Sequence, residues 1–387
     1  MTVVSAPLPG AARPPGGSVD LSLHGLARLR LLDAAPGDVA AVVRQVGPLE
    51  VPVEGEADLV VRFVDRLPRT AGERLIGARE AAFTDDGFFV LRSKHKARAR
   101  VSVPLHRAGQ RGCELVCERG LPAVPLLVPL LNLAVLANGA LPLHASAFRT
   151  AEGVGVVTTG WSKGGKTEAL LAFCERGATY VADEWLYLRG DGTASGIPEP
   201  LRVWDWHLDS LPAYRQRLPW SSRARLAALR SATAAARAAP ASPRRLSRLA
   251  DRVAPLLEGQ AHVDLDPTVV FRSELGPLTT SVDRLFLVMS ADRPDVVAGP
   301  IDVAEVASRM AASLAFERLD LRSWYLRWRY AHPGPDGANP VLEGGAEDTE
   351  RRLLGELLEG TPTWVVEHPY PVDLVALHDA MAPLCTP

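Results

Sequence analysis

Eight consecutive residues in the middle of the chain have the types and spacing of a phosphate-binding loop. Residues 160–167 read Gly-Trp-Ser-Lys-Gly-Gly-Lys-Thr and fit the pattern G-x-x-x-x-G-K-[ST] without a gap. Glycines at the fixed positions let successive backbone N–H groups point at phosphate oxygens. Lys166 supplies a charge for the outer phosphates, and the Thr167 hydroxyl can bind Mg²⁺. The segment therefore predicts a site for ATP and Mg²⁺, and the residues expected to contact the nucleotide are Gly160, Ser162, Lys163, Gly164, Gly165, Lys166, Thr167 and Glu168.

The elements around this loop are those that such a site needs. A strand is predicted over 153–159, a helix over 166–176 and a second strand over 179–182. A glycine turn with an incidental Lys-Thr pair is the alternative. It does not account for a strand before the loop and a helix after it, which is the context that the motif requires.

Two acidic residues, Asp183 and Glu184, follow the second strand. One carboxylate can hold Mg²⁺ together with Thr167, while its neighbour accepts a proton from an attacking hydroxyl. The alternative is a solvated acidic turn. His144 lies in a further predicted strand, 143–148, and is either a core histidine or a group that reaches the outer phosphate.

Several short segments resemble the HPr kinase/phosphorylase family. They are Leu143-His144-Ala145-Ser146, the Val-Val-Thr-Thr-Gly run before the loop, Gly164-Gly165-Lys166-Thr167-Glu168, and the stretch from Cys174 to Glu184 that contains Arg-Gly and Ala-Asp-Glu. Four features in this order over about 45 residues are specific.

The resemblance implies a P-loop kinase domain of the HPr kinase / PEP-carboxykinase-like type, which transfers the γ-phosphate of ATP to a Ser or similar hydroxyl. Lys166 and Thr167 would then bind phosphate and Mg²⁺, Asp183 would be the general base, and His144 would assist near the transferring phosphate. Glu184 stands where the family has a second Asp. The nearest likeness is to divergent relatives that modify peptides in biosynthetic pathways, and a homo-oligomer is compatible with it. Arg202 is the candidate for substrate contact.

The chain divides into three parts by composition. Residues 1–20 are expected to form a flexible tail, 21–120 a smaller N-terminal α+β domain, and 121–387 the α/β P-loop domain. Residues 121–148 lack charged side chains apart from His144, but prolines and asparagines interrupt them. They predict a buried helix over 126–138 rather than a membrane span.

An Arg- and Ala-rich insertion is expected at 215–260. Arg223, Arg230 and Arg237 recur every seven residues, and a second helix is predicted to begin at Ser242 and Pro243. The insertion is either a basic lid for an acidic or phosphorylated partner or a solvated helical hairpin.

Bulk composition narrows the remaining function classes. The 387 residues carry a net charge of −2, which gives no global reason to bind nucleic acid or an anionic membrane. Four cysteines lack the spacing of a zinc site, and no signal peptide is recognised, so a cytoplasmic protein is expected. The predicted partner is a peptide, protein or small-molecule phosphate acceptor. A small-molecule kinase, a non-catalytic ATP sensor and a plain NTPase remain the alternatives to a peptide or protein kinase.

Overall fold

The chain folds as a mixed α/β protein built around two large β-sheets. The computed structural model describes residues 17–47, 55–92, 98–238, 257, 259–271, 275 and 277–386. Nearly all of the elements predicted from the sequence are present within these ranges. The predicted second helix of the insertion, beginning at Ser242, lies outside the described residues, as do residues 1–16 of the predicted tail.

The first sheet comprises eight strands in the order β1-β2-β3-β8-β7-β6-β5-β4. Its strands are β1 (Ser18–Leu23), β2 (Ala27–Leu32), β3 (Leu59–Val64), β4 (Arg74–Ile76), β5 (Ala81–Phe83), β6 (Phe88–Arg92), β7 (Arg98–Ser102) and β8 (Cys113–Glu118). The alternation in β3 sends Leu59, Val61 and Phe63 into the core, as the period-2 pattern predicts. β1 begins inside the segment predicted as a tail.

The second sheet carries the predicted phosphate-binding loop. Its order is β16-β13-β12-β9-β10-β17-β19-β18. β11 pairs with the same edge of β9 as β12 does, but with the later residues of that strand. The strands are β9 (Leu141–Arg149), β10 (Gly155–Thr159), β11 (Thr179–Ala182), β12 (Trp185–Leu188), β13 (Thr193–Gly196), β16 (Thr279–Ser281), β17 (Arg284–Ser290), β18 (Val297–Pro300) and β19 (Thr363–His368). A separate two-stranded ribbon pairs β14 (Leu201–Trp204) with β15 (His262–Leu265).

Eleven α-helices lie within the described residues. They are α1 (Pro36–Val46), α2 (Leu127–Ala137), α3 (Lys166–Cys174), α4 (His207–Ser210), α5 (Pro212–Arg217), α6 (Trp220–Ala238), α7 (Pro267–Phe271), α8 (Val303–Glu317), α9 (Leu319–Ala331), α10 (Ala346–Leu358) and α11 (Leu374–Met381). Among them, no helix combines the length and apolar character needed to cross a membrane. The predicted buried helix 126–138 is confirmed as α2, which packs against both sheets.

Helices cover both faces of the second sheet. One face packs on α2, α8 and α10, and this core continues into the first sheet. The other face packs on α3 and α11. Successive residues of β17 alternate between the two cores, with Leu285 and Leu287 on one side and Phe286 and Val288 on the other. A sheet buried on both sides needs such continuous apolar strands.

Strand direction determines where the polar residues meet. β10, β17 and β19 are parallel, and β11 runs the same way because it and β10 are both antiparallel to β9. The carboxyl ends of these four strands therefore share one edge of the sheet. In α/β sheets this edge is where ligands bind.

Most of the insertion that the structure describes is helical, as predicted, in the end of α5 and in α6. Arg230 of α6 does not stand free, because its guanidinium contacts Asp205 at 2.7 Å and Asp209 at 2.9 Å. Arg215 also binds Asp209, at 2.7 Å. These pairs attach the insertion to α4 and neutralise part of the predicted basic face.

Candidate phosphate-binding site

The loop joins β10 to α3 at the carboxyl edge of the sheet. Gly160 and Gly165 have φ angles of 153° and 110°, which favour glycine. A Cβ at Gly160 would lie 2.3 Å from the carbonyl oxygen of Val288, and one at Gly165 would lie 2.3 Å from His368 Nε2. Both fixed glycines are thus required by backbone conformation and by close neighbours.

Lys166, the first residue of α3, turns back across the loop. Its buried ammonium donates to the carbonyl oxygens of Gly160 and Trp161, each at 3.1 Å. Burial lowers the pKa of Lys166, while the nearby carboxylates of Glu184 and Asp183 oppose that shift. The charge therefore lies at the centre of the loop, where it can attract a phosphate.

Asp183 comes from the end of β11 and meets the second residue of α3. The Thr167 hydroxyl donates to Asp183 Oδ2 at 3.1 Å. Asp183 is only 3% exposed, and within the described part of the chain its Oδ1 has no hydrogen-bond partner. Burial, and then the negative charge of Glu184, raises the pKa of Asp183 to about 7. A buried carboxyl with a pKa this close to neutral is typical of functional sites.

His144 lies in β9 opposite Trp185 of β12, and its strand neighbour Ala145 pairs with Thr159 just before the loop. Its Nε2 is 2.9 Å from Glu184 Oε2, and its Nδ1 is 2.8 Å from Glu317 Oε1. Burial alone would lower the pKa of His144, but the hydrogen bonds to the two carboxylates raise it. The arrangement holds an imidazolium between two carboxylates.

Glu317, the last residue of α8, was not predicted from the sequence. It contacts His144 across 173 positions of the chain, and no local pattern marks it. Glu184, predicted as a metal ligand beside Thr167, has its carboxylate paired with His144.

A second wall of the pocket rises from β14 and α4. Buried His207 lies with Nε2 3.1 Å from Glu168 Oε1, and its Nδ1 accepts from the backbone N–H of Trp204 at 3.1 Å. Burial would raise the pKa of Glu168, but the hydrogen bond from His207, a backbone hydrogen bond and nearby positive charge together outweigh burial, so the pKa is lowered. This pair attaches the ribbon to α3. On the ribbon, Arg202 is bound to Asp264 at 2.9 Å.

His368, at the end of β19, contacts the backbone of the loop. Its Nε2 lies 2.8 Å from the Gly164 carbonyl oxygen and its Nδ1 lies 2.8 Å from the Pro369 carbonyl oxygen. The ring is fully buried. It fixes the loop at the glycine pair and was not identified from the sequence.

One pocket unites these groups. All of the predicted site residues except Gly160 line it, and three lining residues were not predicted. The lining residues are His144, Ser162, Lys163, Gly164, Gly165, Lys166, Thr167, Glu168, Asp183, Glu184, Arg202, Trp204, His207 and Tyr370. The residues that sequence reasoning missed, Trp204, His207 and Tyr370, come from the ribbon wall and from the end of β19.

The residues present fit Mg²⁺ bound together with phosphate. No group of three or more His, Cys, Asp or Glu side chains in the described ranges is arranged to hold a metal by itself. Mg²⁺ is commonly held by one or two protein oxygens plus substrate phosphates. The Thr167 hydroxyl and Asp183 Oδ2, 3.1 Å apart, supply such oxygens beside the loop, and within the described residues Oδ1 keeps no partner.

Comparison of the chain with known protein families gives no match, and comparison with curated proteins gives none either.

Proposed function

We propose that the protein is an ATP- and Mg²⁺-dependent phosphotransferase that phosphorylates a hydroxyl group, with a P-loop kinase domain of the HPr kinase-like type. The observation that carries the proposal is the contact between Thr167 of the loop and buried Asp183, whose pKa is about 7. A metal-binding hydroxyl and a carboxyl that can act as a base at neutral pH are the two groups that such a reaction requires next to the phosphates.

Each group has a role in this account. The loop amides and Lys166 bind the phosphates, and the helix dipole of α3 adds to their attraction. Bound Mg·ATP supplies the transferable γ-phosphoryl group. Asp183 faces Thr167 through Oδ2, which leaves Oδ1 to accept the proton of the acceptor hydroxyl.

His144 contributes positive charge to the same pocket. Its two N–H groups are bound by Glu184 and Glu317, so the ring is fixed in position as well as charged. A fixed cation beside the loop stabilises negative charge that develops on the transferring group. Glu317 acts through His144 and is a positioning residue.

A peptide or protein acceptor is favoured by an exposed aromatic pair next to the pocket. Trp161 of the loop is 51% exposed and Phe316 of α8 is 46% exposed, and their ring centroids are 4.7 Å apart. Ser162, which follows Trp161, lines the pocket. Glu317, which follows Phe316, binds His144. Exposed aromatic surface of this kind is typical of protein-binding sites.

The test is transfer of label from γ-labelled ATP, in the presence of Mg²⁺, to peptide, protein and metabolite fractions of the source cells. Wild type should label a discrete acceptor, and Lys166→Ala should abolish labelling because the phosphates lose their cation. Asp183→Asn should bind ATP but transfer at least about 100-fold more slowly, the contribution typical of a general base. Label that appears only as free phosphate would identify an NTPase. ATP binding without turnover would identify a sensor. Either result would refute the kinase proposal.

A further inference from the structure

The pocket extends past the phosphate loop on the side away from Asp183, and this end is aromatic. In the sheet, β11 with Asp183 at its end lies on one side of β10, beyond β9, whereas β17 and β19 lie on the other. Tyr370 follows the carboxyl end of β19 and lines the same pocket. The acidic pair and Tyr370 therefore flank the loop from opposite sides.

A chain of contacts leads from the loop to this tyrosine. Glu168, the residue after Thr167, binds His207 at 3.1 Å. The His207 ring lies 4.0 Å from Trp206 between centroids, and Trp206 lies 5.8 Å from Tyr370 with the two rings nearly perpendicular, at 81°. Trp206 thus supports Tyr370, while half of the tyrosine's surface, 50%, stays exposed.

We propose that Tyr370, supported by Trp206, is the platform on which the nucleobase of the bound nucleotide stacks. The inference rests on the proposed function, which places the phosphates on the loop and the transferred phosphoryl group at the Asp183 and His144 side. The base must then extend the other way, past Thr167 and Glu168. Any base offers a flat π face to an exposed aromatic ring, so stacking requires no specific hydrogen-bond partner.

The other aromatic residues at the pocket are less suited to this role. Trp204 has the Lys163 ammonium of the loop 5.8 Å from its ring centroid, so its ring lies against a charged side chain of the loop. Trp161 contacts Phe316, next to Glu317 and the His144 side. Tyr370 is the pocket aromatic that lies on the β19 side of the loop.

The proposal is tested by comparing two ligands that differ in the base and ribose. Equilibrium affinities for Mg·ATP and for Mg·tripolyphosphate are measured by calorimetry with wild type, Tyr370→Leu, Tyr370→Phe and Tyr330→Leu. Tyr330 is an exposed tyrosine on α9 outside the pocket and gives the matched control. Tyr370→Leu should weaken Mg·ATP about 10-fold and leave Mg·tripolyphosphate unchanged, since stacking contributes ~1–3 kcal/mol per base. Tyr370→Phe and Tyr330→Leu should match wild type.

Three outcomes would overturn the inference in distinguishable ways. Equal affinity of the wild type for the two ligands would show that no base subsite exists, although the phosphate site would stand. Equal weakening of both ligands by Tyr370→Leu would show a disturbed loop rather than a lost stacking contact. Binding of neither ligand by wild type, or binding that survives Lys166→Ala, would remove the proposed function together with the inference.

Discussion

Asp183 and Glu168 are buried carboxyl groups on either side of Thr167, and their surroundings move their pKa values in opposite directions. Burial and the charge of Glu184 raise the pKa of Asp183 to about 7, and the Thr167 hydroxyl offsets only part of this. Glu168 is buried as well, but the hydrogen bond from His207 lowers its pKa. At the scale of single residues, the carboxyl that is poorly stabilised as an anion is the one suited to take up a proton.

Asp183→Asn is expected to stabilise the ligand-free protein while it slows transfer. A carboxyl whose folded pKa lies above its unfolded value costs stability as pH rises from the unfolded pKa through the folded pKa. With values of 3.8 and about 7, the gain in unfolding free energy from Asp183→Asn should be larger at pH 8 than at pH 5 by about 3 kcal/mol. Denaturant titrations of both proteins at the two pH values measure it.

Glu168→Gln supplies a control of opposite sign for this experiment. The folded pKa of Glu168 is lowered, so its stabilising effect is present above the unfolded pKa and is lost as pH falls. The substitution should therefore destabilise the protein more at pH 8 than at pH 4. A gain from Asp183→Asn that is the same at pH 5 and pH 8 would show that Asp183 is an ordinary anion in the folded protein.

Local sequence identifies residues whose chemistry is set by their neighbours in the chain. The loop is a run of eight residues, and Asp183 follows a strand, so both could be predicted. Glu317, His207 and His368 could not, because they act on residues 173, 39 and 204 positions away. Tyr370 could not be predicted either, since its place beside the loop depends on the order of strands in the sheet.

At the scale of elements, β19 and α3 hold the loop between them. His368 at the end of β19 contacts the Gly164 carbonyl oxygen, and its ring fills the space beside the Gly165 Cα. The strands and helices that flank the loop were predictable because each has a clear period and length. The strands β14 and β15 of the ribbon and the helix α4, which build the second wall, are too short for a period to be recognised.

Gly165→Ala should abolish Mg·ATP binding without unfolding the protein. The new methyl group would lie 2.3 Å from His368 Nε2, at a φ of 110°, so the loop or the histidine must move. Gly177 is the matched control near the other end of α3, because it has a φ of 92° and a methyl group there would meet no atom within 4 Å. Gly177→Ala should cost about 1 kcal/mol of stability and leave affinity unchanged. Wild-type affinity in Gly165→Ala would contradict the conclusion that this position of the loop requires glycine.

At the scale of the whole molecule, α2 connects the two sheets. Its apolar residues belong to a core that runs from the first sheet to one face of the second. Each of the two cores contains two buried cysteines. Cys113 and Cys117 lie in the core that α2 shares with both sheets, and Cys174 and Cys385 lie in the core under α3 and α11. The sequence predicted α2 as a buried helix. It did not show that α2 packs against both sheets, because the strands that α2 contacts are distant from each other in the chain.

We expect the two sheets to unfold together. In a denaturant series, thiol labelling resolved by mass spectrometry should expose all four cysteines at one concentration. Leu131→Ala in α2, at a fully buried position, should reduce the free energy of unfolding by about 2–5 kcal/mol. The denaturant concentration at which the cysteines become labelled should therefore fall for both cysteine pairs. Leu326→Ala, at an exposed position on α9, should leave it unchanged. Labelling of Cys113 and Cys117 well before the other two would show that the sheets unfold separately.

The pH dependence of phosphoryl transfer tests the central claim most directly, which is that Asp183 takes the acceptor proton beside the loop. For wild type, kcat/KM should rise about tenfold per pH unit below pH 7 and level off above it, since the unprotonated carboxylate is the active form. Glu184→Gln removes the negative charge that helps to raise this pKa, so the midpoint should move down by about one unit. Glu305→Gln, on the exposed surface of α8, should not move it. A rate independent of pH between 5 and 9, or a midpoint that Glu184→Gln leaves in place, would contradict the account.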